Sequence, residues 1–152
     1  MKIVEFERSA EITWNGDVVR GSGHVTALTR SFEVPVTFPS LRGEPQGVTT
    51  PEELLAASHA TCYGIGLRSV IGRRGGLASR IVVRATISAR KGDGGIRIIR
   101  SHLSGMAYDL TGLDPEALAE CAETAKKECT ISNALAGTVE VTCELASSSQ
   151  SP

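Results

Sequence analysis

The chain has 152 residues, 41% of them apolar and 22% charged, with a net charge of −1, which suits one aliphatic-cored globular domain. With only 4% aromatic residues and no long basic run, nothing recommends nucleic acid as a partner. The opening Met1-Lys-Ile-Val-Glu-Phe-Glu-Arg has no uninterrupted apolar core, so no secretory signal is expected. The longest apolar stretch, 54–71, carries His59, Arg68 and two glycines, and reads as a buried helix, not a membrane span.

The first third alternates as β-structure does. The runs in "AEITWNGDVVRGSGHVTAL" flank Asn15-Gly16, a strong hairpin signal. "SFEVPVTF" alternates again, and Pro35 marks it as an edge strand. "PSLRGEPQGVTT" is a loop, rich in Pro and Gly. A helix then starts with Thr50 at the N-cap, Pro51 at N1 and Glu53 at N3. It runs to about Ile71, where "GRRGG" stops it. Its residues Ala56, Ala57, Ser58, Ala60, Gly64 and Gly66 are small on nearly every face.

"SRIVVRATISAR" and "GIRIIRSHLSGMAYDL" are strand-like runs joined by "KGDGG", a second hairpin. Asp114-Pro115-Glu116 starts a second helix, "PEALAECAETAKKE". "TVEVTCEL" closes as a strand, and "ASSSQSP" reads as a tail. The fold class is α+β: antiparallel β-sheets from two hairpin regions with two main helices, in one domain over 1–146 with a tail over 147–152.

Four cysteines stand at 62, 121, 129 and 143. Their spacings match no zinc pattern and no CxxC occurs, so no metal and no cofactor is expected. In a cytoplasmic chain, free or redox-active thiols are more natural than a disulfide framework. Free cysteines often only pack, and Cys121 and Cys143 read that way. Cys62 lies within the small-residue helix, and Cys129 follows the basic end of the second helix. Glu52 at N2 is not needed by the capping box.

Three segments together carry a resemblance: "TPEELLAASHATCY" at 50–63, "ECTISNALAG" at 128–137 and "WNGDVVRGSGHV" at 14–25. In order and spacing they resemble the OsmC/Ohr family of peroxide-reducing proteins, with "AASHATC" closer to the OsmC branch. The resemblance implies a thiol-dependent peroxidase acting on organic hydroperoxides. Cys62 would attack, Cys129 would resolve the sulfenic acid, and a dithiol, lipoyl-type in the family, would reset the pair. An arginine oriented by Glu52 would lower the thiol's pKa. Arg42, in "SLRG", has the family spacing and is slightly favoured over Arg20, in "RGSG". Thr130 departs from the family proline after the second cysteine, which restores a backbone N–H.

Glu52 and Cys62 would be about 15 Å apart along a straight helix. Either the helix breaks, or an antiparallel second copy supplies Glu52, as in the family's intertwined homodimers with sites at the subunit interface. Two other functions are open: a non-enzymatic redox sensor or small-molecule binding protein on the same fold, and a cysteine hydrolase using His59 and Cys62. An i, i+3 pair on one helix rarely gives nucleophile–base geometry.

Overall fold

A computed structural model describes residues 1–37 and 46–149. The chain forms two compact units, Met1–Leu54 and Leu55–Pro152.

The first unit holds a three-stranded sheet of order β1-β2-β3, with β1 at Ala10–Asn15, β2 at Ser22–Ala27 and β3 at Glu33–Val36. Both pairings are antiparallel. The tight turn expected at Asn15-Gly16 is instead a six-residue connection, since β1 ends at Asn15 opposite Ser22. Asp17 explains the difference. Its carboxylate accepts from the Val19 amide at 2.9 Å and the Arg20 amide at 2.7 Å, and its carbonyl accepts from the Trp14 indole at 3.2 Å. An Asp side chain that satisfies nearby amides favours a wider turn over direct hairpin closure. Pro35 lies on edge strand β3 as expected, where its missing N–H breaks no ladder bond.

Helix α1 spans Pro51–Arg73, two residues beyond the expected stop. At its start the Thr50 hydroxyl accepts from the Glu53 amide at 3.2 Å. The Glu53 carboxylate accepts from the Thr49 hydroxyl at 2.6 Å, so Thr49 takes the group that a full capping box would turn back to the cap.

In the second unit β4 (Arg80–Gly92) and β5 (Gly95–Tyr108) form the hairpin that "KGDGG" predicts. Helix α2 covers Pro115–Glu128 and a short α3 covers Thr130–Leu135. Asp114 caps α2, accepting from the Ala117 amide at 2.7 Å. Strand β6, Glu140–Ser148, lies parallel beside β5, so this sheet is mixed where antiparallel sheets were expected. The helices between β5 and β6 carry the chain back along the sheet, and a crossover of that kind delivers a parallel strand. Ser147 and Ser148, expected in the tail, pair with Ala107 and Tyr108 in β6. Backbone pairing at a strand end requires no apolar side chain.

Tyr63, Leu67, Val70 and Ile71 recur at helical spacing on α1 and are buried. They meet Leu103 of β5 and Leu118, Cys121 and Ala125 of α2 in one apolar cluster. Gly105 of β5 leaves room for the neighbouring-strand side chain of Leu145, since a Cβ there would stand 2.8 Å from Leu145 Cδ1. At the end of α1 the Arg73 guanidinium donates to both Glu128 oxygens at 2.9 and 2.7 Å. The pair is half-exposed and adds only a few tenths of a kcal/mol, but it fastens the residue next to Cys129.

Candidate functional site

All four cysteines are free thiols. Cys62 sits on α1, half-buried against the apolar cluster. Cys129 is the buried residue between α2 and α3 and caps α3 with its sulfur, which accepts from the Ser132 amide at 3.4 Å. The two cysteines share one apolar cluster: Cys129 is part of it and Cys62 packs against it. Burial pushes the Cys62 thiol up, but donors from the Ile131 amide, the Cys129 thiol and the Thr130 amide and hydroxyl together bring it below its ordinary value. A sulfur that accepts several hydrogen bonds is favoured as the thiolate, the reactive form.

The other two thiols lie in different surroundings. Burial pushes the Cys121 thiol up. Burial, together with the Glu123 carboxylate that accepts from it at 3.3 Å, pushes Cys143 up. Both stay protonated where Cys62 ionises.

His59, one turn before Cys62, is fully buried. Its Nδ1 lies 2.6 Å from Ser101 Oγ and its Nε2 lies 2.7 Å from Ser132 Oγ. One ring nitrogen donates and the other accepts. With both nitrogens committed to hydroxyls, His59 serves as a buried bridge between α1, β5 and α3, and not as a base for Cys62. The bridge also braces Ser132, whose amide caps the Cys129 sulfur. Neither Ser101 nor Ser132 stood out in the sequence.

Burial holds His59 neutral by lowering its pKa from 6.5, whereas in the unfolded chain it protonates near its ordinary value. The unfolded state therefore binds the extra proton first, and stability falls as the pH drops below about 6.5, by at most about 1.4 kcal/mol per pH unit for this one group. Glutamine can donate to one serine and accept from the other but does not titrate. Urea midpoints for the wild type should fall more between pH 7.5 and 5.5 than those of His59→Gln, and equal falls would contradict the bridge.

The remaining residues singled out above are placed as follows. Glu52 is in the first turn of α1. Arg20 is exposed in the connection after β1, with its amide held by Asp17. Arg42 lies outside the described residues. Among the described residues no group of three or more His, Cys, Asp or Glu could hold a metal ion, and no helix is long and apolar enough to cross a membrane.

Residues 43–144 match the family described as OsmC-like protein. The chain belongs to that family. This OsmC-like protein is 28% identical over 141 residues to "Peroxiredoxin OsmC" of Escherichia coli K12, covering 92% of this chain and 97% of that protein. It is 29% identical over 125 residues to "Organic hydroperoxide resistance protein OhrB" of Bacillus subtilis, covering 82% of this chain and 89% of that one. The crystal structure of that Bacillus protein superposes on the OsmC-like chain with a TM-score of 0.71, covering 91% of this chain and 98% of the other. An organic hydroperoxide resistance protein from Elizabethkingia anophelis, 25% identical, gives 0.76, covering 97% and 100%. The α+β fold of the OsmC-like protein, with two small sheets and three helices among the described residues, is that of these structures.

Proposed function

We propose that this OsmC-like protein is a thiol-dependent peroxidase that reduces organic hydroperoxides to alcohols. The observation that carries this reading is the placement of Cys62 and Cys129 at one apolar cluster, with the Cys62 thiol drawn below its ordinary value while those of Cys121 and Cys143 are pushed up. The names of its relatives, a peroxiredoxin and organic hydroperoxide resistance proteins, point the same way.

In the proposed cycle the Cys62 thiolate attacks one oxygen of R–O–O–H. The S–O bond forms, the O–O bond breaks, and the alkoxide leaves with the electron pair and takes up a proton. Cys62 becomes a sulfenic acid. Cys129 then displaces hydroxide, which leaves as water, and the two sulfurs form a disulfide. The two cysteines lie at the same apolar cluster, and the bond requires their Cα atoms to come within about 4.4–6.8 Å. An external dithiol, lipoyl-type by the family resemblance, reduces the disulfide by exchange. The apolar cluster around Cys62 suits an apolar R group over hydrogen peroxide. A reducing compartment such as the cytoplasm would keep the thiols ready, and no metal or cofactor enters the cycle.

An arginine, Arg42 in preference to Arg20, completes the proposed site by holding the developing alkoxide, with Glu52 orienting its guanidinium. α1 is a single helix over Pro51–Arg73, so about 15 Å of axial rise separates Glu52 from Cys62. The break that could have joined them in one chain is not there, and we assign Glu52 to the site of a second, antiparallel copy. The outward face of α1 supports such a homodimer: Thr61, Gly64 and Arg68 flank Ile65, which is 71% exposed.

Consumption of cumene hydroperoxide with dihydrolipoamide as reductant tests the function. Many equivalents should be consumed per Cys62. Consumption that halts after one equivalent would favour the other reading, in which oxidation of Cys62 signals without turnover.

A further inference from the structure

Cys129 separates α2 from α3 with an extended backbone, φ −69° and ψ 118°. Two contacts fasten its segment to α1, the helix that carries Cys62. Before it, Glu128 accepts from Arg73 at 2.9 and 2.7 Å. After it, the Ser132 hydroxyl lies 2.7 Å from His59 Nε2. Asn133 Nδ2 donates to the Lys127 carbonyl at 3.1 Å, so α3 and the end of α2 are also tied to one another. The two fastenings differ in place and strength. Arg73 follows Cys62 by about 16 Å along the α1 axis, and its pair with Glu128 is half-exposed and weak. His59 precedes Cys62 by only about 4.5 Å of rise, and both it and Ser132 are buried. A hydrogen bond shielded from water is electrostatically stronger than one at the surface. The Ser132 amide in turn donates to the Cys129 sulfur at 3.4 Å, so the place of Ser132 sets that of the second thiol.

We propose that His59 and Ser132 are positioning residues for the resolving step, their buried hydrogen bond holding Cys129 within reach of the oxidised Cys62. The inference rests on the reading of Cys129 as the resolving thiol and deepens it. In that step the Cys129 sulfur attacks the sulfur of the Cys62 sulfenic acid. The S–S bond forms, the S–O bond breaks, and hydroxide leaves with the electron pair and takes up the Cys129 proton to become water. Disulfide geometry is narrow, with Cα atoms about 4.4–6.8 Å apart. An α3 released from His59 therefore presents Cys129 less often in the geometry that captures Cys62. His59 and Ser132 act through the placement of Cys129 and touch no peroxide.

Two fates compete for the Cys62 sulfenic acid: capture by Cys129, and oxidation to sulfinic acid by a second peroxide. The test is the cumene hydroperoxide concentration at which half of Cys62 in reduced, full-length protein ends as sulfinic acid, read by mass spectrometry of the Cys62 peptide. This trapping concentration compares two fates of one intermediate, so it does not depend on how fast that intermediate forms. Ser132→Ala removes the hydroxyl and keeps the amide that reaches Cys129. A misplacement of about 1 Å can cost about a hundredfold in rate, so the trapping concentration should fall at least about tenfold. Ser101→Ala breaks a 2.6 Å bond to the same ring, but one that leads to β5, and should shift the value by no more than about threefold. That comparison separates positioning from a general loss of stability. His59→Leu should match Ser132→Ala, and His59→Gln, which can donate to one serine and accept from the other, should restore most of the wild-type value. An unchanged trapping concentration in Ser132→Ala, or an equal fall in Ser101→Ala, would overturn the proposal. If Ser132→Ala does not fold, the His59 variants decide, and equal values for His59→Leu and His59→Gln would overturn it. Wild-type protein that forms no Cys62–Cys129 link at any peroxide concentration would overturn the resolving reading and this inference with it. Wild-type protein that links, while Ser132→Ala is trapped no sooner, would overturn this inference alone.

Discussion

Cys62→Ser is expected to reduce hydroperoxide consumption to the uncatalysed background. A serine hydroxyl does not ionise near neutral pH and has no sulfur to carry a sulfenic acid, so both the attack and the intermediate are lost. The substitution conserves shape at a half-buried position, and the fold should persist, which circular dichroism can verify. The comparison thiols matter as much as the target. Cys121 and Cys143 are both pushed toward the protonated form by burial. Cys121→Ala and Cys143→Ser should keep activity within about twofold, since changes away from the reacting atoms act mainly on stability. Alanine is the better probe at Cys121, because that site is fully buried and a serine hydroxyl there would need a partner. Turnover that survives in Cys62→Ser would end the proposed mechanism.

The second large effect is a recovery of activity on mixing. If Glu52 serves a second copy's Cys62, Glu52→Gln and Cys62→Ser homodimers should each be nearly inactive. In a mixed dimer one site carries both defects and the other carries neither. Random exchange makes about half the dimers mixed, each with one of two sites intact, so about a quarter of wild-type activity should return. Native mass spectrometry can confirm the exchange. Mixed dimers with no recovered activity would show that Glu52 does not act across the interface.

Several elements were legible from the sequence because local chemistry and packing agreed. Thr50, Pro51 and Glu53 mark the start of α1, and Asp114-Pro115 marks that of α2. The "KGDGG" turn joins β4 and β5 as written. The wide connection after β1 was hidden because Asn15-Gly16 is a turn signal in its own right, and only the folded chain shows Asp17 collecting four donors. The parallel placement of β6 was equally hidden, since strand direction is set by the path of the helices before it and not by its own alternation.

At the site, Cys62 and Cys129 were visible through the segments that resemble a known family. That they come together was implied by the same resemblance and by no spacing, because the residues lie far apart in sequence and reach one apolar cluster through tertiary packing. Thr130 was visible only as a departure from a proline, and the structure places it at the start of α3. Ser101 and Ser132 carried no signal, as a serine in an apolar run does not say which buried group it pairs with. Their partner, His59, sat in the quoted motif, but its spacing to Cys62 gave no hint of a serine on each ring nitrogen.

The central claim is that peroxide oxidises Cys62 and that Cys129 captures the product. The most direct measurement is a non-reducing peptide map of the wild-type protein after one equivalent of an organic hydroperoxide, with Cys129→Ser treated in parallel. The account predicts a peptide pair linked through Cys62 and Cys129 in the wild type, and sulfenic acid at Cys62 passing to sulfinic acid in the variant. Wild-type protein whose Cys62 stays a sulfenic acid, or whose Cys62 links to Cys121 or Cys143 instead, would contradict it.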